Sequence, residues 1–133
     1  MLFFFAVLIN GASAQMSDTL AYLKTFEQQK AQYIGQPFSV LLTAMGQVQP
    51  TTVRSSRNIR NKTQIPYCIF YFVTPNNRFS YAGVIKMVID WQTTIPSQEI
   101  KYYSDRNHFY FTSEEQQFYS NKIIKDISVY KTY

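Results

Sequence analysis

Four cations stand within nine positions of this sequence: Arg54, Arg57, Arg60 and Lys62. The arginines recur at every third residue, and no acidic residue lies between Glu27 and Asp90. A guanidinium fork grips a phosphate or carboxylate through two parallel N–H···O bonds. The run therefore reads as an anion-binding loop, set against the ordinary meaning of such clusters, a solvated polar loop. The anions in view are a lipid headgroup or other anionic envelope component, an acidic glycan, or an acidic partner protein.

Tyrosine is the second chemical resource. All 11 tyrosines follow residue 14. Tyr67 to Val73 is aromatic and β-branched, which favours a strand. If Cys68, Phe70 and Phe72 face the core, then Tyr67, Ile69, Tyr71 and Val73 share the opposite face, with Lys86, Asp90 and Tyr130 beside them. Tyrosine offers a large flat area with a polar tip, so Tyr67 and Tyr71 are candidate ligand contacts able to stack on sugar rings or dock a protein. The competing expectation is that the last two helices cover this face and make it a second core layer.

Catalytic patterns are sparse. The only histidine, His108, lies near Asp105, Arg106, Glu114 and Glu115. A carboxylate that orients an imidazole makes an acid–base pair, so a small hydrolase-like enzyme using His108 with Asp105 or Glu114 is the alternative function. No serine sits in a Gly-x-Ser-x-Gly elbow. The only cysteine, Cys68, falls in an apolar strand, where a thiol behaves as a small hydrophobe. Its pairing with a cysteine of another chain stays open. The acids have no calcium-loop spacing, the four glycines form no phosphate loop, and one histidine excludes a multi-histidine metal site. No cofactor and no metal are expected. Asn61-Lys62-Thr63 fits the N-glycosylation pattern, which matters only in a eukaryotic secretory route. No nucleic-acid-binding motif is present.

The elements that must position these residues follow from periodicity. Leu20, Leu23, Phe26, Lys30 and Tyr33 or Ile34 predict a helix over Asp18–Ile34, ended by Gly35. Phe38, Leu41, Leu42 and Met45 predict a second helix, begun at Pro37 and ended by Gly46. Residues 47–62 lack an apolar period and read as a long loop. A strand over 67–73 and a turn at Thr74-Pro75-Asn76-Asn77 lead to a strand over Gly83–Trp91, with Ile85, Met87, Ile89 and Trp91 on its inner face. A short helix over Gln98–Ser104, an extended piece at His108–Phe111, a helix from a capping box at Ser113 and Gln116 to about Ile123, and a strand over Asp126–Thr132 complete the chain. The expected fold is α+β: an N-terminal helix pair packed on a small antiparallel sheet of about three strands, with one or two further short helices.

Residues 1–14 have their own character. Leu2 to Ile9 is uninterruptedly apolar, Asn10-Gly11 breaks it, and Ala12-Ser13-Ala14 follows with small residues where a signal peptidase reads them. The expectation is a cleaved export signal with cleavage after Ala14, a single domain over 15–133, and a secreted or periplasmic destination without an integral membrane segment. Only 16% of residues are charged, against about 25% in a typical soluble domain. The 46% hydrophobic content argues against intrinsic disorder. Taken together, the residues point to a small exported non-catalytic binding protein of the cell envelope that uses a basic loop and surface tyrosines. An accessory subunit of an envelope assembly is a third reading.

Overall fold

The computed structural model describes residues 12–56, 63–72 and 84–131, with side chains from residue 19 onward. It is an α+β fold. Helix α1 spans Ala12–Gln28 and is followed by a 3₁₀ turn at Lys30–Gln32; α2 spans Phe38–Ala44. Strand β1 is Thr52–Ser55, β2 Gln64–Phe72 and β3 Ile85–Pro96; helices α3 (Ser97–Asn107) and α4 (Ser113–Ser120) precede β4 (Ile124–Lys131). The four strands form one antiparallel sheet in chain order, β1-β2-β3-β4. No described helix is long and apolar enough to cross a membrane.

The core lies on one face of this sheet. Along β3, Ile85, Met87, Ile89 and Trp91 are buried and Lys86, Val88 and Asp90 between them are half-buried. This is the period of two that a pleated strand imposes. All helix-to-sheet ring contacts among the described residues fall on the buried face. Phe38 of α2 packs on Phe70 and Trp91, and Tyr119 of α4 stacks on Trp91 at 5.8 Å and meets Phe70 edge-on. Leu41, Leu42 and Met45 fill the rest of the expected α2 stripe. Gly35 and Gly46 stand at φ +86° and +63°, the left-handed region that lets the chain leave a helix without a Cβ clash.

Several expectations are corrected. The sheet has four strands, because Thr52–Ser55 pairs with β2 within the segment read as loop. Only Val53 of that strand is fully buried, so it carries no alternation to read. The first helix ends at Gln28, where Gln29 takes non-helical angles and the 3₁₀ turn begins. Residues 108–111 do not form a regular strand: His108 and Phe109 are left-handed, and only Tyr110 makes a bridge, to Thr52. The capping box is one residue earlier than predicted, at Thr112 and Glu115. Helix α4 ends at Ser120 because the next residues are drawn into pairing. Gly35 N–H donates to Ile124 O at 2.8 Å, and Ile124 N–H donates to Gln36 O at 3.0 Å. The predicted turn at 74–77 lies outside the described residues.

Both sheet edges are occupied. On β4, the Val129 N–H donates to the Glu27 carboxylate at 3.0 Å and the Ile127 N–H to Asp126 Oδ1 at 2.9 Å. On β1, the Val53 N–H donates to Phe109 O and the Phe111 N–H to Thr51 O, each at 2.9 Å. These four bonds take up edge groups that could otherwise pair with another chain.

Candidate binding site

Arg54, Tyr67 and Tyr71 share one face of the sheet. Arg54 pairs in register with Ile69, and the two tyrosines flank Ile69 on β2. The last two helices do not cover this face; they sit with the first two on the other side, as the Tyr119 contacts show. The two tyrosines differ. Tyr67 is half-buried, whereas Tyr71 is 9% exposed and its ring lies 5.6 Å from Lys86 Nζ. Tyr130 stands on the far side of the same ammonium at 5.8 Å. Tyr71 thus holds Lys86 more than it faces solvent, a cation–π arrangement. Arg57, Arg60 and Lys62 lie outside the described residues.

The other end of the face is acidic. Tyr67 pairs with Asp90, and Asp90 with Asp126. Burial, and then the Asp126 charge, hold the Asp90 carboxyl above its ordinary value. Asp126 is held below its own by the Lys30 ammonium 2.8 Å away. An incoming anion is therefore disfavoured at the Asp90 end and favoured at the Arg54 end.

Arg54 is exposed, and its guanidinium carbon lies 4.1 Å from the centre of the Phe109 ring. No ion pair or side-chain hydrogen bond occupies it among the described residues, whereas Arg106 is taken by Glu114 at 2.9 Å. The cation–π contact braces the guanidinium, and its N–H donors, claimed by no described carboxylate, suit a carboxylate or phosphate. Phe109 reaches this place by unusual backbone. Helix α3 ends at His108, which takes φ 53°, ψ 42° and donates its N–H to Ser104 O. Phe109 follows at φ 68°. A left-handed phenylalanine is an outlier that costs on the order of 1–3 kcal/mol unless its surroundings hold it. Three contacts hold it: Phe109 N–H to Ser104 O, Tyr110 N–H to Asn107 O, and Phe109 O to β1. Beneath it, the Asn107 amide donates to both Glu114 and the buried Glu115, tying the end of α3 to the start of α4.

His108 is exposed and hydrogen-bonds neither Asp105 nor Glu114. Lys101 holds Asp105 at 2.5 Å, and Arg106 with Asn107 holds Glu114. The two carboxylates of the alternative acid–base reading are close to His108 in sequence but engaged with other partners in space. A cleft beside Phe109, lined also by Ile100, Tyr103 and Tyr119, has about 30 Å³ of room, enough for a water or two and far below an ordinary small-molecule site.

Cys68 is fully buried, and its thiol donates to the Tyr119 hydroxyl at 3.8 Å. Burial pushes its pKa up to about 11, and Trp91 and Tyr119 offset only part of that. Trp91 Nε1 makes no hydrogen bond of ordinary geometry, so its influence on the sulfur is that of a nearby dipole. A thiol kept protonated is a poor nucleophile. Native protein at pH 8 is therefore expected to resist iodoacetamide for hours and to react within minutes in urea. Rapid alkylation without denaturant, followed by mass spectrometry, would contradict this.

The sequence reading missed Phe109, Tyr110 and Tyr102, three exposed aromatics at or near this edge. The available signal was Asn107-His108, two residue types that tolerate left-handed backbone at a helix end. No family model matches this chain, and no curated protein or solved structure is significantly similar to it.

Proposed function

We propose that this chain is a small exported, non-catalytic binding protein of the cell envelope that captures an anionic group through Arg54 and the basic stretch beginning there. The observation that carries the reading is the exposed Arg54 guanidinium, braced on Phe109 and unpaired with any described carboxylate. Arg57, Arg60 and Lys62 continue the same cationic run in sequence. The half-buried Tyr67 on the same face adds flat amphipathic area. Residues 1–14 are the export signal in this reading, which places the ligand outside the cytoplasm. The engaged carboxylates around His108 favour binding over acid–base chemistry.

The test is retention of the full mature chain on immobilised polyglutamate. A charge-assisted hydrogen-bonded contact contributes about 1.5–3 kcal/mol, so Arg54→Ala is expected to weaken retention roughly 10- to 100-fold. Its melting temperature should stay put, because the side chain is exposed. Arg54→Lys keeps the charge but loses the fork, and should fall between the two. Equal retention of all three proteins overturns the assignment of Arg54.

A further inference from the structure

We infer that the anion taken at Arg54 belongs to a carboxylated polysaccharide of low charge density, laid along a strip of aromatic rings that continues from Phe109 onto α3 and α4. This rests on the reading of Arg54 as an anion receptor and adds the chemistry of the rest of the ligand. Tyr103 is common to the two depressions that make up the strip. Phe109 and Tyr103 line the same narrow cleft. Tyr103 then lines a second, open depression of about 350 Å³ with Tyr102, Phe118, Gln98 and Glu99. Its rings lie against one another, Tyr102 on Tyr103 at 4.9 Å and Tyr103 on Phe118 at 4.7 Å. Tyr102 is 59% exposed, so its ring contributes little to the core.

The chemistry along the strip selects the ligand. Sugar rings present C–H faces that pack on aromatic faces, and their hydroxyls need donors and acceptors at the rim. Gln98 offers both and Glu99 accepts. Cations mark the two ends. Arg54 stands over Phe109, and Lys122 Nζ lies 4.7 Å from the Phe118 ring with no ion pair among the described residues. The depression beside Phe118 also presents the Glu99 carboxylate. A nucleic acid, with its closely spaced phosphates, would meet that carboxylate repulsively. A polysaccharide of low charge density meets the cations with its sparse carboxylates and sets uncharged ring faces against the tyrosines beside Glu99.

The experiment compares four probes on the mature chain by affinity electrophoresis: hyaluronan, polyglutamate, dextran and a single-stranded thymidine oligonucleotide. Hyaluronan carries both rings and sparse carboxylates, polyglutamate only carboxylates, and dextran only rings. Hyaluronan is expected to bind about tenfold tighter than either of those two, and Tyr102→Ala is expected to erase that margin without changing the melting temperature. Equal binding of hyaluronan and polyglutamate, untouched by Tyr102→Ala, overturns the polysaccharide assignment and leaves Arg54 as an anion receptor. Binding of neither overturns both readings. Tighter binding of the oligonucleotide overturns the polysaccharide in favour of a nucleic acid.

Discussion

Replacing Phe70 with alanine is expected to lower the folding free energy by about 3–5 kcal/mol. Phe70 is fully buried at the middle of β2. Its ring meets Phe38 at 4.7 Å, Tyr119 at 5.5 Å, Phe111 at 5.8 Å and Trp91 at 6.2 Å. These rings come from α2, β3, α4 and the segment that follows the Phe109 turn. Truncation therefore removes the common neighbour of every layer, and four partners cannot all collapse into one cavity. Domains of this size hold about 5–15 kcal/mol in total, so the variant should sit near the edge of folding at 37 °C. Urea unfolding of wild type, Phe70→Ala and Phe70→Leu reads the effect. The leucine variant, closer in volume, should lose less than half as much. A loss below about 1 kcal/mol for alanine would show that the ring cluster is not the centre of the core.

The second large effect is expected at Glu115, a carboxylate 1% exposed with no cation beside it. Its oxygens accept from the Thr112 backbone N–H at 3.1 Å, from the Thr112 hydroxyl, and from the Asn107 amide at 2.9 and 3.1 Å. The Thr112 hydroxyl also accepts from Glu114 N–H, completing the capping box. Glu115→Ala leaves the Thr112 backbone N–H without its acceptor and the Asn107 amide with only its bond to Glu114, at about 1–3 kcal/mol for each such loss, and weakens the cap. A total near 3 kcal/mol is expected by urea unfolding. Glu115→Gln keeps an acceptor for the N–H and should lose about half as much. The same network anchors the turn that carries Phe109. Amide exchange at 107–112 should therefore speed up in Glu115→Ala beyond what global destabilisation explains. Unchanged exchange there would detach the network from the turn.

The parts legible in the sequence are those whose physics is local. Ile85, Met87, Ile89 and Trp91 alternate because one face of β3 meets the core, and the same rule identifies Ile127 and Val129 as buried residues of β4. Phe38, Leu41, Leu42 and Met45 repeat at helical spacing because α2 buries a single stripe. Strand β1 escaped because its four residues bury one side chain fully and owe their conformation to the neighbour strand, a contact distant in sequence. Thr112 and Ser113 both fit a capping box on paper. The buried Glu115 with Asn107 against it selects Thr112, and burial is a tertiary fact. At the site, Arg54 is visible as a cation in a run of cations. Its brace is not, because Phe109 reaches it only through two left-handed residues and a pairing with β1 that spans half the chain.

The occupied sheet edges bear on how this chain behaves at high concentration. Tyr67-Cys68-Ile69-Phe70-Tyr71-Phe72 is uncharged, aromatic and β-branched, the composition of segments that stack into fibrils. In the native fold that segment is interior, and the strands flanking it present few bare amides to an arriving molecule. Fibril seeding is thereby tied to loss of the Phe109–Phe111 and Glu27 contacts, so conditions that fray these two borders should set the onset of turbidity well before the core melts.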